Sequence, residues 1–599
     1  MKIVSDILED KISAAMAAVT GVKGCAAIVR PATEPKFGDY QVNGVMALAK
    51  EIKANPQKLA EDVVKNLDVS DICEKPEVAG PGFINLWLKP SFIAEKLLEI
   101  NKDPANLGID KTTQPQTIVV DFSCPNIAKQ MHVGHLRSTI IGDCICRMLE
   151  FLGHKVIRQN HIGDWGIPMG MVVYAVQQKT QGVQDYEPST DRLVSAELNR
   201  VADLNTLEQC YKETAVLTEH DLNVAESVRR TTARLQQGKP FETECWNHAR
   251  QVTLKTCYGL YQDLNVKLGE KDTRGESAYK DDLPKVVEDL KKLPETKESA
   301  GAVCAFPEGF KNKEGEPLPF IIQKSDGAYL YATTDLAALR YRVNKLKANT
   351  VIYVTDARQS LHFQMLFAVG RMAGWAKNTE LIHVAFGSVL GENGKPLKTR
   401  EGENVKLKEL LDEAVQRAKK IVEEKNPDLP QEKKERIARV VGIGAVKYAD
   451  FSNNRTSDYV FSFNKMLAMD GNTAPYMQYA YARIKSIERK AQEKGVDVED
   501  ELTNLQSVRL TESEELDLAK YLIRYSEAIE AAIADYRPNY LTSYLYELAQ
   551  TFSGFYTNCP VLDAQPDKRP TRLLLCDLTA KTIKHGLTEL LGIEVVEQM

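Results

Sequence analysis

The sequence predicts an α/β protein with a doubly wound, Rossmann-type parallel sheet, a helical insertion, an N-terminal α+β domain and a C-terminal all-α helix bundle. Two strand–helix–strand patterns predict the sheet. The first comprises strand Thr117–Val120, helix Leu136–Leu152 and strand Val156–Ile157; the second comprises strand 351–354, helix 361–375 and strand 381–386. Two such halves, separated in sequence, form one sheet with a nucleotide-binding crevice between them.

The first helix has the clearest pattern. Its apolar residues are spaced four apart and therefore lie on one face: Leu136, Ile140, Cys144 and Met148. Gly153 is expected to end it, because helices commonly end at a glycine that adopts a left-handed backbone conformation.

The length of 599 residues indicates three or four domains, at about 150 residues each. We expect an N-terminal α+β domain over 1–110, the sheet domain over 111–450 and the helix bundle over 451–599. Residues 177–300 are charged and mostly helical in pattern, which predicts an insertion between the halves of the sheet. A hairpin over 320–331, turning at Asp326–Gly327, closes this insertion.

The outer domains are predicted from shorter patterns. Apolar residues between Leu516 and Ile533 predict one helix that ends before Pro538, and those between Leu541 and Phe555 predict another. In the N-terminal module, residues 80–82 open an alternating strand over 83–88. A helix bundle alone does not indicate a function.

Composition narrows the protein class. Hydrophobic content of 43% and charged content of 27% are ordinary for a globular protein. No run approaches the roughly 18 apolar residues of a membrane span, and Met1–Met16 carries acidic residues that a signal peptide lacks. Eleven cysteines without paired zinc spacing predict reduced thiols, a cytoplasmic location and no structural metal. The net charge of −6 argues only mildly against nucleic-acid binding, which needs a basic face and not a basic average.

The most informative segment lies between the first strand and the first helix. His132, Gly134 and His135 stand at a helix N-terminus after a buried strand, where open α/β sheets bind phosphate-bearing ligands. The imidazoles can donate hydrogen bonds to phosphoryl oxygens and favour the transition state, and Gly134 permits close approach of a ligand. Taken alone, the pair could equally be half of a metal site or a structural pair.

The stretch from Ser123 to Asp143 resembles the long form of the HIGH signature found in the arginyl-tRNA synthetases, which are class I aminoacyl-tRNA synthetases. The resemblance extends over almost the whole chain. It implies an ATP-dependent ligase that joins L-arginine to its tRNA through an arginyl-adenylate and releases AMP and pyrophosphate. The implied partners are tRNA, L-arginine and ATP with Mg²⁺, without a membrane partner, and the implied state is a monomer.

Two other functions are less consistent with the chain. A small-molecule nucleotidyltransferase would lack the helical C-terminal third. A catalytically silent RNA-binding paralogue should have lost phosphate or guanidinium ligands.

The second phosphate loop departs from the class I pattern. The usual Lys-Met-Ser-Lys-Ser is replaced by residues 394–402, where Thr399 stands in place of the second lysine. The resemblance implies that Lys129 compensates, so that His132, His135 and Lys129 are the catalytic residues. Gly134, Lys395, Lys398 and Arg400 are then the expected ATP-binding residues, although a charged loop is usually only solvated.

A guanidinium is recognised by planar carboxylates and a stacking face in a cleft. Tyr331 and Asp335 are four apart and share a face if that segment is helical. The resemblance implies an arginine pocket built from Asp121, Asn126, Tyr331, Asp335 and Gln359. Asp335 could instead cap a helix, and Asp164, between Gly163 and Gly166, could be purely structural.

For tRNA, the resemblance implies that the N-terminal domain, with its segments 37–40 and 80–85, contacts the corner of the molecule. It also implies an anticodon-binding bundle that is entered at residues 472–480. Exposed tyrosines and arginines suit stacking on unpaired bases, although core aromatic residues are more common. The predicted tRNA contacts are Tyr448, Asn453, Arg455, Tyr476 and Gln478, with Tyr479 as a further candidate.

Overall fold

The computed structural model describes residues 3–179, 203–398 and 404–599, which form two compact units. The sheet unit consists of Thr112–Leu467 together with Leu590–Ile593. The terminal unit consists of Met1–Lys111, Ala468–Glu589 and Glu594–Met599. The boundary at Leu467 differs from the expected one at 450, because a helix over Gln431–Phe451 runs through residue 450 and packs on helix Leu407–Lys425.

The centre of the sheet unit is a four-stranded parallel sheet, which confirms the predicted fold class. Its strand order is Glu380–Phe386, Thr350–Asp356, Thr117–Asp121, Lys155–Gln159. The two central strands pair with Thr350 opposite Ile118. The chain winds outward from these strands in opposite directions, so the crevice at their carboxyl ends is the expected ligand site.

The helix that follows the first strand spans Val133–Phe151. The four apolar residues predicted to face the core are all buried. The chain turns away just after this helix at Gly153, whose φ of +94° is in the region that favours glycine.

The other helices of the sheet unit support this core and form much of the insertion. They are Ile167–Lys179, Leu204–His220, Leu222–Gln236, Pro240–Asp263, Leu283–Lys291, Tyr331–Asn344, Ser360–Met372 and Phe463–Met466. Short 3-10 turns span Glu270–Asp272, Glu276–Tyr279 and Ala357–Gln359. Of the predicted insertion 177–300, residues 180–202 lie outside the described part of the chain.

The predicted hairpin over 320–331 is only partly formed. Strand Phe320–Gln323 pairs with Ala302–Ala305, which in turn pairs with Thr296–Ser299. After the turn, a single bridge joins Gln323 to Tyr329 before the next helix begins at Tyr331.

The terminal unit combines an antiparallel sheet and a helix bundle. The sheet order is Val29–Pro31, Tyr40–Val42, Phe83–Leu86, Glu77–Ala79. The surrounding helices are Val4–Thr20, Gly44–Ile52, Pro56–Lys65 and Pro90–Lys102, with a 3-10 turn over Pro35–Phe37. The helices of the bundle are Ala474–Glu493, Val498–Thr503, Ser513–Ile523, Tyr525–Ala534, Pro538–Asn558 and Arg569–Lys584. A π-helical turn, His585–Leu590, follows the last of them, and its final residue belongs to the sheet unit. The single helix expected between Leu516 and Ile533 is wrong, since two helices meet at Arg524. Among the described helices, none has both the length and the apolar character needed to cross a membrane.

Polar contacts join the N-terminal module to the bundle within the terminal unit. Tyr40 is fully buried and its hydroxyl donates to Glu527 Oε1 at 2.7 Å. Asp39 forms an ion pair of 2.8 Å with Lys520, and the backbone N–H of Ser5 donates to the same Glu527 oxygen at 3.2 Å. Tyr40 thus packs against the bundle and exposes no surface, while the contact of the N-terminal domain with tRNA stays a prediction.

Candidate active site

The turn between the first strand and helix Val133–Phe151 has an uncommon backbone. Ser123, Cys124 and Ala128 have φ values of +75°, +50° and +58°, a region that side chains other than glycine seldom adopt. Their backbone N–H groups donate, at 2.9, 3.0 and 3.0 Å respectively, to side-chain oxygens of Ser138, Asn160 and Thr253. Hydrogen bonds to three side chains thus hold the turn in this strained conformation. Such strain is common at functional sites.

The two histidines cap the helix reciprocally. His132 Nδ1 accepts from the backbone N–H of Gly134 at 3.0 Å, and His135 Nδ1 accepts from the backbone N–H of His132 at 3.1 Å. A Cβ at Gly134 would lie 2.7 Å from His132 Cε1, so glycine is needed for this packing. Because both Nδ1 atoms accept, the hydrogen bonds assign the ring proton of each neutral histidine to Nε2.

Both imidazoles are held neutral. Burial lowers the pKa of His132, and the nearby Lys129 lowers it further. Burial, followed by the neighbouring His132, lowers the pKa of His135 to about 3. Two neutral Nε2–H donors at a helix N-terminus suit phosphoryl oxygens, and occupied Nδ1 atoms disfavour the alternative of half a metal site bound through them.

The ends of the second loop lie beside this motif. Lys398 and Asn404 form an antiparallel bridge. The backbone N–H of Val133 then donates to Val405 O at 3.0 Å, and that of Leu407 donates to Met131 O at 2.9 Å. The loop therefore leaves and returns next to His132, although Thr399 and Arg400 themselves lie outside the described residues.

The hairpin before this loop presents exposed cations. Lys395 and Lys398 are exposed and line a cavity of about 660 Å³ together with Arg417 and Phe463. The guanidinium of Arg417 lies 4.7 Å from the Phe463 ring centroid. The cavity beside the hairpin is thus lined by cationic and aromatic side chains, among them those of Lys395 and Lys398.

Lys129 is in contact with the insertion. Its Nζ lies 4.3 Å from the ring centroid of Tyr211, on helix Leu204–His220. Gln130 Nε2 donates to Asn205 Oδ1 of the same helix. The insertion therefore packs directly on the turn that precedes the two histidines.

Tyr331 and Asp335, two of the residues predicted to bind arginine, lie on one helix, as predicted, and Tyr331 is 66% exposed. Asp335 is not the helix cap, because Leu330 occupies that position. Its Oδ2 lies 2.7 Å from His362 Nε2, and its Oδ1 lies 3.6 Å from His161 Nε2. Asp335 is thus a partly exposed carboxylate flanked by two imidazoles.

Sequence reasoning missed Glu276 and His161. The side chain of His161 is 11% exposed, and its ring nitrogens have no hydrogen-bond partner within the described residues. Burial, together with the nearby Asp335 and Asp164, raises the pKa of Glu276 to about 8. No spacing in the sequence connects Glu276 of the insertion to Asp335, because the fold alone brings the two carboxyl groups together.

Asp164 has a structural role. It is fully buried, and its oxygens accept from the backbone N–H and the hydroxyl of Ser277, each at 2.9 Å. Gly163 approaches Asn126, whose Oδ1 would lie 2.2 Å from a Cβ at position 163. Asp164 thereby anchors the segment that carries Glu276.

The carboxylate of Asp121 forms an ion pair with an arginine of the protein itself. Its Oδ2 lies 2.8 Å from the buried Arg342, whose Nε donates to Gln159 Oε1 at 2.7 Å. Asp121 is therefore already paired within the protein, and its contact with arginine stays a prediction. Asn126 and Gln359 are exposed, as an open cleft requires.

The predicted tRNA contacts divide by burial. Tyr448 and Gln478 are fully buried, and Gln478 Nε2 donates to Glu594 O at 2.9 Å, so the prediction that these two residues contact tRNA is wrong. Asn453 and Tyr479 are exposed, and Tyr476 is half-buried against Tyr546. Arg455 donates to Ala385 O inside the sheet unit.

Comparisons with known proteins agree along the whole chain. Residues 100–463 match the family model of the class I (R) tRNA synthetase catalytic domain, residues 477–599 match the DALR anticodon binding domain, and residues 6–88 match the arginyl tRNA synthetase N terminal domain. The arginine–tRNA ligase of Hahella chejuensis is 47% identical over 595 residues, covering 99% of each chain.

The same family is found among solved structures. The arginyl-tRNA synthetase of Plasmodium falciparum is 31% identical with a TM-score of 0.82, and that of Thermus thermophilus is 26% identical with a TM-score of 0.79. In both comparisons the coverage is 100% of both chains. With its capped HIGH histidines and its flanked carboxylate at the end of a doubly wound sheet, the chain belongs to the arginyl-tRNA synthetases.

Proposed function

We propose how the cleft at the carboxyl ends of the central strands performs the reaction of this family. The chain attaches L-arginine to its tRNA with ATP, through an arginyl-adenylate. The guanidinium of arginine binds between Asp335 and Glu276, with Tyr331 covering its face. The observation that carries this assignment is the Asp335 carboxylate, which is partly exposed, flanked by His161 and placed near a second, partly buried acid, Glu276.

ATP binds along the capped helix start. In the first step, an oxygen of the arginine carboxylate attacks the α-phosphorus, the α–β phosphoanhydride bond breaks and pyrophosphate leaves with the bonding electrons. The Nε2–H groups of His132 and His135 stabilise the charge that develops on the phosphoryl oxygens. Lys129, with Lys395, Lys398 and Arg400 of the second loop, neutralises the pyrophosphate, and Gly134 leaves room for the nucleotide.

In the second step, a terminal ribose hydroxyl of tRNA attacks the carbonyl carbon of the adenylate. The new ester forms as the bond to AMP breaks. ATP enters as its magnesium complex, since Mg²⁺ is commonly held by substrate phosphates and water. Among the described residues, no group of three His, Cys, Asp or Glu side chains is placed to hold a metal.

The wider assignments follow from the same comparison. The N-terminal domain and the bundle bind tRNA, with Asn453, Tyr476 and Tyr479 as candidate contacts. The protein acts as a monomer in the cytoplasm, where the free thiols of its eleven cysteines remain reduced. Charging of unfractionated tRNA with each amino acid in turn tests the activity, and only arginine is expected to be attached.

Replacing Lys129 with alanine is expected to lower the rate of ATP–pyrophosphate exchange by about 10²–10³, the usual size for loss of one charge-stabilising donor. Introducing lysine at Thr399 in the same variant should restore part of the activity. Lys406→Ala is the matched control, since this lysine also lies beside the motif and hydrogen bonds Asn205 at 3.4 Å. Normal exchange by Lys129→Ala would contradict the role of Lys129.

Arginine binding is expected to release a proton from Glu276. Its pKa of about 8 in the free enzyme falls when a guanidinium binds, because an adjacent cation favours the anion. Affinity for arginine should therefore rise with pH, by up to about tenfold per unit, until the free acid is ionised near pH 8. Calorimetry in buffers of different ionisation enthalpy measures the proton. Glu276→Gln should abolish the release and the exposed control Glu270→Gln should not, and proton release by Glu276→Gln would exclude this residue as the source.

A further inference from the structure

One buried arginine connects helix Val133–Phe151, which follows His132 and is called the HIGH helix below, to the rest of the sheet unit. Arg137 lies two residues after His135 and is 1% exposed. Its Nε lies 2.9 Å from Oδ2 of Asp450, on helix Gln431–Phe451, and this carboxylate is equally buried. A buried ion pair is retained only where good geometry and further hydrogen bonds compensate for lost hydration.

The other contacts of Arg137 reach two more segments. Its Nη1 donates to Gly387 O at 2.7 Å and to Ser457 O at 3.1 Å. Gly387 directly follows strand Glu380–Phe386 and begins the chain that leads into the hairpin with Lys395 and Lys398. The guanidinium of Arg137 thus forms a junction of three segments. These are the start of the HIGH helix, the base of the hairpin that carries Lys395 and Lys398, and the segment around Ser457.

The hairpin base is closely fitted to that segment. Asp458 Oδ1 accepts from the backbone N–H of Ser388 at 2.6 Å, and strand Val389–Leu390 pairs in parallel with Tyr459–Val460. The Arg137 guanidinium also lies 5.2 Å from the Tyr459 ring centroid. A Cβ at Gly387 would lie 2.7 Å from Ser457 O and 2.6 Å from Asp458 Oδ1, so this contact admits no side chain.

We infer that Arg137 is a positioning residue for ATP: it fixes the base of the second phosphate loop against the helix that carries His132 and His135. The two sets of phosphate ligands come from chain segments about 260 positions apart, and a displacement of about 1 Å can cost 10²-fold in rate. The ion pair of Arg137 and Asp450 keeps these two segments at a fixed distance from each other before ATP binds. The inference rests on the proposed binding of phosphates by the hairpin and its loop.

The test uses two variants that disturb the junction in different ways. Arg137→Lys keeps the charge and loses the planar fork that reaches two carbonyl oxygens. Gly387→Ala leaves the ion pair intact and forces the hairpin base away from Ser457. The controls are Arg147→Lys, which alters the buried ion pair with Asp143 at the far end of the same helix, and Gly259→Ala on helix Pro240–Asp263, where a Cβ would meet no atom within 4 Å.

ATP–pyrophosphate exchange of the full-length protein is measured with tRNA present, together with thermal unfolding. Both junction variants are expected to raise KM for ATP by about tenfold or more while KM for arginine changes little, because only the phosphate ligands are displaced. Arg147→Lys should lower the unfolding temperature without raising KM for ATP relative to KM for arginine, and Gly259→Ala should behave as the parent.

Unchanged KM for ATP in both folded junction variants, or an equal rise in both KM values, would overturn the positioning role. Lys398→Ala separates this outcome from failure of the proposed phosphate site. If Lys398→Ala raises KM for ATP and the junction variants do not, the phosphate site stands and the inference on Arg137 is wrong. If the junction variants alone raise it, Arg137 positions a ligand other than Lys398.

Discussion

Asp335→Asn is expected to lower kcat/KM for arginine by roughly 10²- to 10⁴-fold, since leaving a buried cation without its counter-charge costs about 3–5 kcal/mol. The carboxylate lies between His362 and His161 and belongs to the only acidic residue of helix Tyr331–Asn344, which Tyr331 begins. Asparagine preserves the shape of the side chain and removes its charge. Affinity for ATP should stay near the parent value, because the HIGH histidines are unaffected.

Steady-state exchange at varied arginine and at varied ATP measures the two effects separately. His362→Asn is the control, because it removes the partner of Asp335 and leaves the carboxylate in place. This control should lose less than Asp335→Asn. Arginine kinetics of Asp335→Asn within a factor of about three of the parent would show that Asp335 serves only to hold His362.

His132→Asn and His135→Asn are each expected to lower kcat for exchange by about 10²–10³, the size of losing one preorganised donor to a developing charge. Asparagine places an acceptor near the position of Nδ1, and it is a good helix cap. The substitution thus keeps the reciprocal cap of helix Val133–Phe151 and removes the Nε2–H donor. KM for ATP should change little, as expected for a contact made chiefly in the transition state.

The complementary variants separate catalysis from capping. His132→Gln and His135→Gln place an amide near Nε2 and lose the cap, so they should retain more turnover and unfold at a lower temperature. Thermal unfolding and single-turnover adenylate formation are the measurements. Near-normal turnover in both asparagine variants would show that the histidines are structural, despite their position at the helix start.

The elements that could be predicted from sequence are those defined by local pattern. The strand and helix on either side of His132 were found because buried strands and amphipathic helices have recognisable periods. Tyr331 and Asp335 were placed on one face because four-residue spacing fixes neighbours on a helix. The resemblance of residues 123–143 then connected these elements to one chemistry.

The remaining features depend on contacts between distant segments, which no local pattern encodes. Glu276 lies near Asp335 because Asp164 anchors its segment, and the pairing of Asp121 with Arg342 joins two elements that are far apart in the sequence. Tyrosine is a residue type that stacks on RNA bases, yet tertiary packing places Tyr448 in the core. The helix break at Arg524 likewise has no glycine or proline to mark it.

The contacts of Glu527 with Ser5 and Tyr40 have a consequence for synthesis of the protein. Tyr40 and Glu527 are 487 positions apart in the chain. At roughly 5–20 residues per second, the ribosome therefore adds the partner of the N-terminal module about 25–100 s after the module itself. The sheet unit, whose main segment lies between them, can fold first. Meanwhile the nascent N-terminal module has no bundle to pack on, and the contacts made by Asp39 and Tyr40 can form only when translation is nearly complete.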